Sequence, residues 1–382
     1  MKRTRVLFIA DPNSIHDHKW VSKICDRDEI TAFMVIRQCH QQAFNGSKRL
    51  QWPIPIVATI QDPSTVRPLK TFNEAVKLRR IVRKNEIDLI HILYGEPNAL
   101  WVNWKWLIGV PFMLTLRGSD ILKTIPIFFA RKTLLAMLVA RQYRRAFRIC
   151  GAITATSRAQ RERIESLVKT RVHLVRTGID LTRIPQKKSP STHLQSVSKP
   201  CILMPRSMRP LYYHEFTLQA IQLLDSHIRH SYTFVFVDAD TADVSYLEKI
   251  KTLTLTVDAS VIFLPSLSNG EMFDLYCNAS LVVMNPVSDG SPVSAMEAMV
   301  CMAPLILPPL SYDMEIYGGS FFFNEWEPKS LKHEIEKVLM MDQQEIQPIL
   351  KKNAQVIIDN CDINIEMKRI VNLYEELLLK KP

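Results

Sequence analysis

No stretch of this 382-residue chain approaches the roughly 20 consecutive apolar residues that a bilayer-spanning helix needs. The opening MKRTRVLFIADP is basic ahead of an apolar run, but that run covers only residues 6–10 before Asp11 ends it. It is too short for a secretory signal and suits a buried first strand. Cysteine is sparse. The seven (Cys25, Cys39, Cys150, Cys201, Cys277, Cys301, Cys361) include no Cys-x-x-Cys pair, which argues against a zinc site or a disulfide framework and for reduced thiols in the cytoplasm. Short repeats, low-complexity segments and nucleic-acid-binding motifs are also missing. Lys105 between Trp104 and Trp106 is a single basic-aromatic cluster, so no nucleic-acid partner is expected.

With 47% hydrophobic residues the chain can bury two ordinary cores, so two domains are expected. The polar, aperiodic segment IPQKKSPSTHLQSVSKP marks the boundary. The expected division is a first domain over 1–184, a linker over 185–200, a second domain over 201–354 and a terminal helix over 355–382. The net charge of +11 is unevenly spread: residues 1–185 carry 32 Lys and Arg against 14 Asp and Glu, and the remainder 17 against 24. A basic half implies an anionic partner. Within it, residues 126–150 (PIFFARKTLLAMLVARQYRRAFRIC) interleave apolar and basic positions. Such a segment is either an amphipathic element on an anionic membrane surface or a core helix with a basic solvated face.

Strand-like runs alternate with helical ones. Residues 6–10, 30–36, 87–93 and 110–116 read as strands, while Phe72, Ala75, Val76, Leu78, Ile81 and Val82 share one helical face. This alternation points to an α/β fold with doubly wound parallel sheets, which bind ligands at the carboxyl ends of their strands. His16, His91, Arg117 and Asp120 fall at such ends. The most informative stretch is residues 281–315, LVVMNPVSDGSPVSAMEAMVCMAPLILPPLSYDME, which reads as strand, polar turn, helix, strand. Pro292 suits a first helical position and Ser291 before it is a good N-cap. A helix over 292–302 then aims its free N–H groups at the turn and attracts phosphate. Asp289 stands just ahead of that end, and Glu297 lies eight residues on, about two turns down.

Asp289-Gly290-Ser291-Pro292, followed by Glu297-Ala298-Met299 and Pro304-Leu305-Ile306 with Glu315 beyond, resembles the acid-x7-Glu block of the retaining glycosyltransferases of family 4. Asp88-Leu89-Ile90-His91, Arg117-Gly118-Ser119-Asp120, Thr154-Ala155-Thr156-Ser157, Thr177-Gly178-Ile179-Asp180 and Arg206 follow the order that family shows. The resemblance implies a GT-B fold: two Rossmann-like domains facing across a cleft, with the C-terminal helix returning to the N-terminal domain. It implies a nucleotide-sugar donor held mostly by the second domain and an acceptor bound mainly by the first. Asp289 would face hydroxyls of the donor sugar and Glu297 would grip the ribose. Backbone N–H groups at Val293 and Ser294, in the turn with Gly290, Ser291 and Pro292, would cradle the diphosphate. Arg206 would neutralise charge on the leaving phosphate. His16 would join the catalytic set, with Asn13, Ser14, His91, Arg117 and Asp120 on the acceptor side. The acceptor's proton would pass to the leaving phosphate, so no protein nucleophile is required; no cofactor is expected, and no metal, since magnesium needs substrate phosphates and a prepared pocket.

The chain departs from the family at three places. Where Arg is usually followed five residues later by Lys-Gly, it has Leu211 and Tyr212, which makes Arg209 a candidate replacement. The glycine pair of the first loop gives way to Pro12-Asn13-Ser14-Ile15-His16, as in a branch with Ser-Ile-His followed by Trp. A usual Gly-x-Gly is Asp238-Ala239-Asp240, the metal motif of the other glycosyltransferase fold. The implied function is a cytoplasmic, membrane-peripheral retaining transferase acting on a glycan or lipid-linked acceptor in cell-surface polysaccharide or glycolipid assembly. A sugar-nucleotide epimerase of the same architecture and a non-catalytic nucleotide-sugar-binding member are the alternatives.

Overall fold

Short, almost wholly apolar runs pair in parallel in each half of the chain, as expected for sheets covered by helices on both faces. The computed structural model describes residues 3–40, 51–118, 120–184, 200–238 and 243–379. Contacts divide the chain into two units, one running up to Thr177 and resuming at Ile363, the other Gly178–Asp362.

In the first unit the strands are β1 (Thr4–Ala10), β2 (Ile30–Arg37), β3 (Ile56–Ile60), β4 (Leu89–Ile92), β5 (Phe112–Leu116), β6 (Ala152–Ala155) and β7 (His173–Leu174). Their order is β3-β2-β1-β4-β5-β6-β7. The chain winds one way from β1 and then the other, so the loops after β1 and β4 part at the carboxyl edge and leave a crevice. The helices are α1 (Ile15–Cys25), α2 (Pro68–Lys84), α3 (Lys105–Ile108), α4 (Ile125–Ala130), α5 (Leu134–Ile149) and α6 (Arg158–Val168). The basic stretch 126–150 is therefore two helices, α4 and α5, rather than one element.

The second unit repeats the plan with β8 (Cys201–Met204), β9 (Thr233–Val237), β10 (Ser260–Leu264), β11 (Leu281–Val283), β12 (Leu305–Leu307) and β13 (Phe321–Phe322). The order β10-β9-β8-β11-β12-β13 puts its switch point between β8 and β11. Its helices are α7 (His214–Leu223), α8 (Ser226–Ser231), α9 (Val244–Thr254), α10 (Asn269–Asn278), α11 (Val293–Val300), α12 (Met314–Tyr317), α13 (Pro328–Met340) and α14 (Gln343–Asn360).

The terminal helix expected over 355–382 is interrupted: α14 ends at Asn360 and α15 (Ile363–Leu379) belongs to the first unit. There Ile363, Met367, Ile370 and Tyr374 join a core with Trp20 and Val21. The contact division falls between Thr177 and Gly178, ahead of the expected linker, of which residues 185–199 lie outside the described residues. Ile179 explains its position: its N–H donates to Cys361 O (2.8 Å) and its side chain enters the second unit's core. Among the described residues no helix is long and apolar enough to cross a membrane.

Candidate active site

Arg206 follows β8 and Asp289 follows β11, 83 residues apart in sequence, yet β8 and β11 are hydrogen-bonded neighbours. The switch point thus brings them together. Arg206 Nη1 donates to Ser294 Oγ (2.6 Å), and its Nη2 donates to Tyr212 OH (2.8 Å) and to Asp289 Oδ2 (3.1 Å). The guanidinium also lies 4.2 Å from the Tyr212 ring centroid. Burial works against its charge, but Asp289 and Tyr212 outweigh burial and raise its pKa. Asp289 Oδ1 accepts from Ser291 N (3.3 Å), which shapes the turn leading into α11. The helix begins one residue later than the sequence suggests: Pro292 is its N-cap residue and Ser291 makes no cap. Pro292 still stands where the chain enters the helix, so Val293 and Ser294 offer first-turn N–H groups that have no acceptor inside the helix. Glu297 is half-buried on α11. Burial first, then the Glu297 carboxylate, raises the pKa of Tyr276. Arg209 is exposed, ahead of a short turn over Pro210–Tyr212.

Three polar groups in this unit, two of them beside the cluster, were not singled out from the sequence. Tyr212 occupies a position that motif comparison marks only as a departure. Tyr312 OH is buried without a hydrogen-bond partner, and its pKa is raised by burial and then by Asp289. Asn285 donates to Thr217 Oγ1 (2.7 Å) while its own Oδ1 is buried without a partner. Asp238 Oδ1 is likewise buried without a partner; residues 239–240 lie outside the described residues. Among the described residues no cluster of three His, Cys, Asp or Glu is placed to hold a metal ion.

The first unit has its own cavity, of about 330 Å³, at the carboxyl edge of the sheet beside the end of β1. Ser14, His16 and Arg117 line it, and so do Asp17, Arg37 and Asn98, which the sequence did not single out. Ser14 is the N-cap of α1, its Oγ accepting from Asp17 N (3.1 Å), which presents His16 on the exposed first turn. Arg117 Nη1 is 2.9 Å from Asp17 Oδ1, and the guanidinium lies 4.6 Å from the Trp20 ring centroid. Its Nε and Nη2 are buried without a hydrogen-bond partner. Burial raises the Asp17 pKa and lowers that of Arg117, each partly offset by the other's charge, the signature of a desolvated pair. Arg37 is held by Asp62 through two contacts of 2.6 and 2.7 Å.

Two acceptor-side expectations are corrected. His91 is fully buried: its Nδ1 hydrogen-bonds Tyr374 OH (2.6 Å) and its Nε2 hydrogen-bonds Thr115 Oγ1 (2.8 Å), tying β4 to α15 and β5. Burial lowers its pKa to about 3, so it is neutral. Asp120 is also fully buried and accepts from the N–H groups of Gly95, Gly118 and Ile121, each at 2.9 Å. It holds the loop that carries Arg117 and does not itself reach the cavity. Asn13 is exposed, its N–H bonded to Asp11 Oδ1 (3.0 Å), and is not among the cavity-lining residues.

Two family models match consecutive segments that together cover most of the chain, Glycosyltransferase Family 4 over residues 35–183 and Glycosyl transferases group 1 over residues 186–357. The chain belongs to the group 1 glycosyltransferases. Solved structures similar to this glycosyltransferase include one from Rickettsia africae (13% identity, 100% of both chains covered, TM-score 0.76). Another is Anabaena HepE in complex with UDP and glucose (16% identity, 98% of this chain and 100% of that one, TM-score 0.73). A third is sucrose-phosphate synthase from Thermosynechococcus elongatus (13% identity, 99% and 100% covered, TM-score 0.72). No curated protein matches. At such identities the likeness establishes the fold, and the glycosyltransferase is GT-B: two Rossmann-like domains, each wound about its own switch point.

Proposed function

We propose that this glycosyltransferase acts with retention, moving a sugar from a nucleotide-sugar donor bound by the second domain to a glycan or lipid-linked acceptor bound by the first. Its place would be the cytoplasmic membrane face, in cell-surface polysaccharide or glycolipid assembly. The observation that carries the reading is the Arg206 clamp at the head of α11. A cation already held by three partners beside free helix-start N–H groups is preorganised for a diphosphate, and it stabilises most where leaving-group charge peaks. In the reaction the C1–O bond to the donor phosphate breaks, and the acceptor oxygen bonds C1 on the same face. The acceptor's proton goes to the leaving phosphate oxygen. Asp289 aligns the sugar hydroxyls and Glu297 the ribose. HepE is described with UDP-glucose, so uridine diphosphosugars are the first donors to try.

The test is donor turnover across a panel of nucleotide-sugars, with and without chelator, and the anomeric configuration of the product by NMR. Asp289→Asn is expected to lower kcat/KM by about 100-fold, and Glu297→Gln, which weakens a charge-assisted bond to the ribose, by about tenfold. Unchanged turnover of every donor in both variants refutes the site. A free epimerised sugar assigns the chain to epimerases, and an inverted product refutes retention.

A further inference from the structure

The first domain carries a surface that its own packing leaves uncovered. Helix α5 belongs to the crossover between the parallel strands β5 and β6, and it ends at the amino edge of the sheet, where Gly151 N donates to Phe112 O (3.0 Å). As the crossover helix running back from the end of β5 to the start of β6, α5 begins on the side of the carboxyl edge, the edge at which Arg117 and the first-domain cavity lie.

At that end the usual partition of a surface helix is inverted. The inward side consists of Ala136, Ala140 and the partly buried Val139, while Leu134, Leu135, Met137 and Leu138 are 87%, 53%, 57% and 45% exposed. Large side chains turn inward only further along, at Tyr143 and Phe147. Ile127 of α4, 43% exposed, adds to the apolar surface of this corner. The turn is well formed, for Thr133 Oγ1 caps it by accepting from Ala136 N (3.3 Å). Behind the leucines the exposed side becomes cationic, with Arg141, Arg144, Arg145 and Arg148. A groove between α4 and α5 is floored by Phe128 and Phe129 and rimmed by Arg131, Lys132, Arg141 and Arg144. From Ile121 to Arg161 the chain holds nine Lys and Arg and no Asp or Glu.

We propose that this α4–α5 corner docks on an anionic lipid bilayer, the leucines entering the acyl boundary and the arginines resting among the headgroups. Leu134 and Arg141 are about 10 Å apart along the helix, close to the depth at which interfacial apolar faces settle. Charge complementarity selects the occupant: a row of arginines without one acid favours phosphodiester headgroups and disfavours self-packing of this face, which would set arginine against arginine. Docking here brings the cavity edge of the first domain to the membrane, where a lipid-linked acceptor presents its headgroup. The proposal deepens the membrane part of the function proposed above, and its test uses neither donor nor acceptor, so its failure and the failure of the transferase reading are separable.

The experiment is flotation of the full chain with phosphatidylcholine vesicles and with vesicles in which about a third of the lipid is phosphatidylglycerol. Anionic vesicles are expected to bind at least about tenfold more tightly, in a salt-dependent manner. Leu134→Ser/Leu135→Ser/Leu138→Ser is expected to weaken that binding by about 100-fold, and Arg141→Glu/Arg145→Glu by about tenfold with loss of salt dependence. Arg80→Glu/Lys84→Glu on α2 is expected to retain it, and circular dichroism checks that each variant is folded. Equal binding to neutral vesicles, undiminished binding of the serine variant, or an equal loss in the α2 variant overturns the proposal. A wild-type dimer that the serine variant dissolves, without vesicle affinity in either, assigns the face to a second copy and also overturns it.

Discussion

Replacing Tyr212 by Phe removes one oxygen from the Arg206 clamp and leaves the ring beneath the guanidinium. The lost contact is a hydrogen bond of 2.8 Å from Nη2, and bonds to charged groups contribute about 1.5–3 kcal/mol. Nη2 keeps Asp289 at 3.1 Å and Nη1 keeps Ser294 at 2.6 Å, so the guanidinium is not stranded. The low end, about 1.5 kcal/mol, is therefore expected, a drop of about tenfold in kcat/KM for the donor. Tyr212→Ala also removes the stacked ring, worth about 0.5–2 kcal/mol, and is expected to bring the total loss to about 100-fold. Both variants are assayed for donor turnover beside thermal unfolding, which separates lost positioning of Arg206 from a loss of folded protein. Wild-type kcat/KM in the Phe variant would show that the hydroxyl does not position Arg206. Wild-type values in both would refute the role of the clamp.

His91 is neutral in the fold with a pKa of about 3, whereas the unfolded chain takes up its proton near pH 6.5. Its contribution to stability is complete above that value and lost as pH falls toward 3, about 2 kcal/mol between pH 7 and pH 5; denaturant midpoints of His91→Gln should fall with acid by that much less than those of the wild type, and parallel curves would refute the linkage. A Cβ on Gly95 would run into the Leu116 side chain and stand 3.3 Å from Asp120 Oδ2. Gly95→Ala is expected to cost about 1–3 kcal/mol in a urea titration, and an unchanged midpoint would show that the Arg117 loop yields to the methyl group.

Much of this molecule is legible locally. The runs that become β1, β8 and β11 are apolar because both faces of a parallel sheet are covered, and Asp289-Gly290-Ser291-Pro292 announces a helix start whether or not a partner is known. Spacing also put Glu297 on the same helix, although α11 starts at Val293 and so carries it about one turn down rather than two. What local pattern cannot carry is which strand lies beside which. Arg206 and Asp289 meet only because β8 pairs with β11, and Tyr212 acquires a role only because its turn folds back under Arg206.

The same limit explains the errors. His91 and Asp120 follow strand-end logic, yet one side chain reaches α15, 283 residues on, and the other is enclosed by the N–H groups of its own loop and of Gly95. The exposed leucines of α5 gave an ordinary amphipathic signal, since periodicity reports that apolar residues cluster on a helix without saying which side meets the core. The sequence by itself determined the elements, the two-domain plan, the family and the acid-bearing helix start, all written in short-range pattern and composition. Only the tertiary structure decided strand adjacency, the three-partner clamp on Arg206, the burial of His91 and the outward face of α5. Those depend on contacts between residues far apart in the chain, whose formation is governed by packing of whole sheets and not by the neighbours of any one residue.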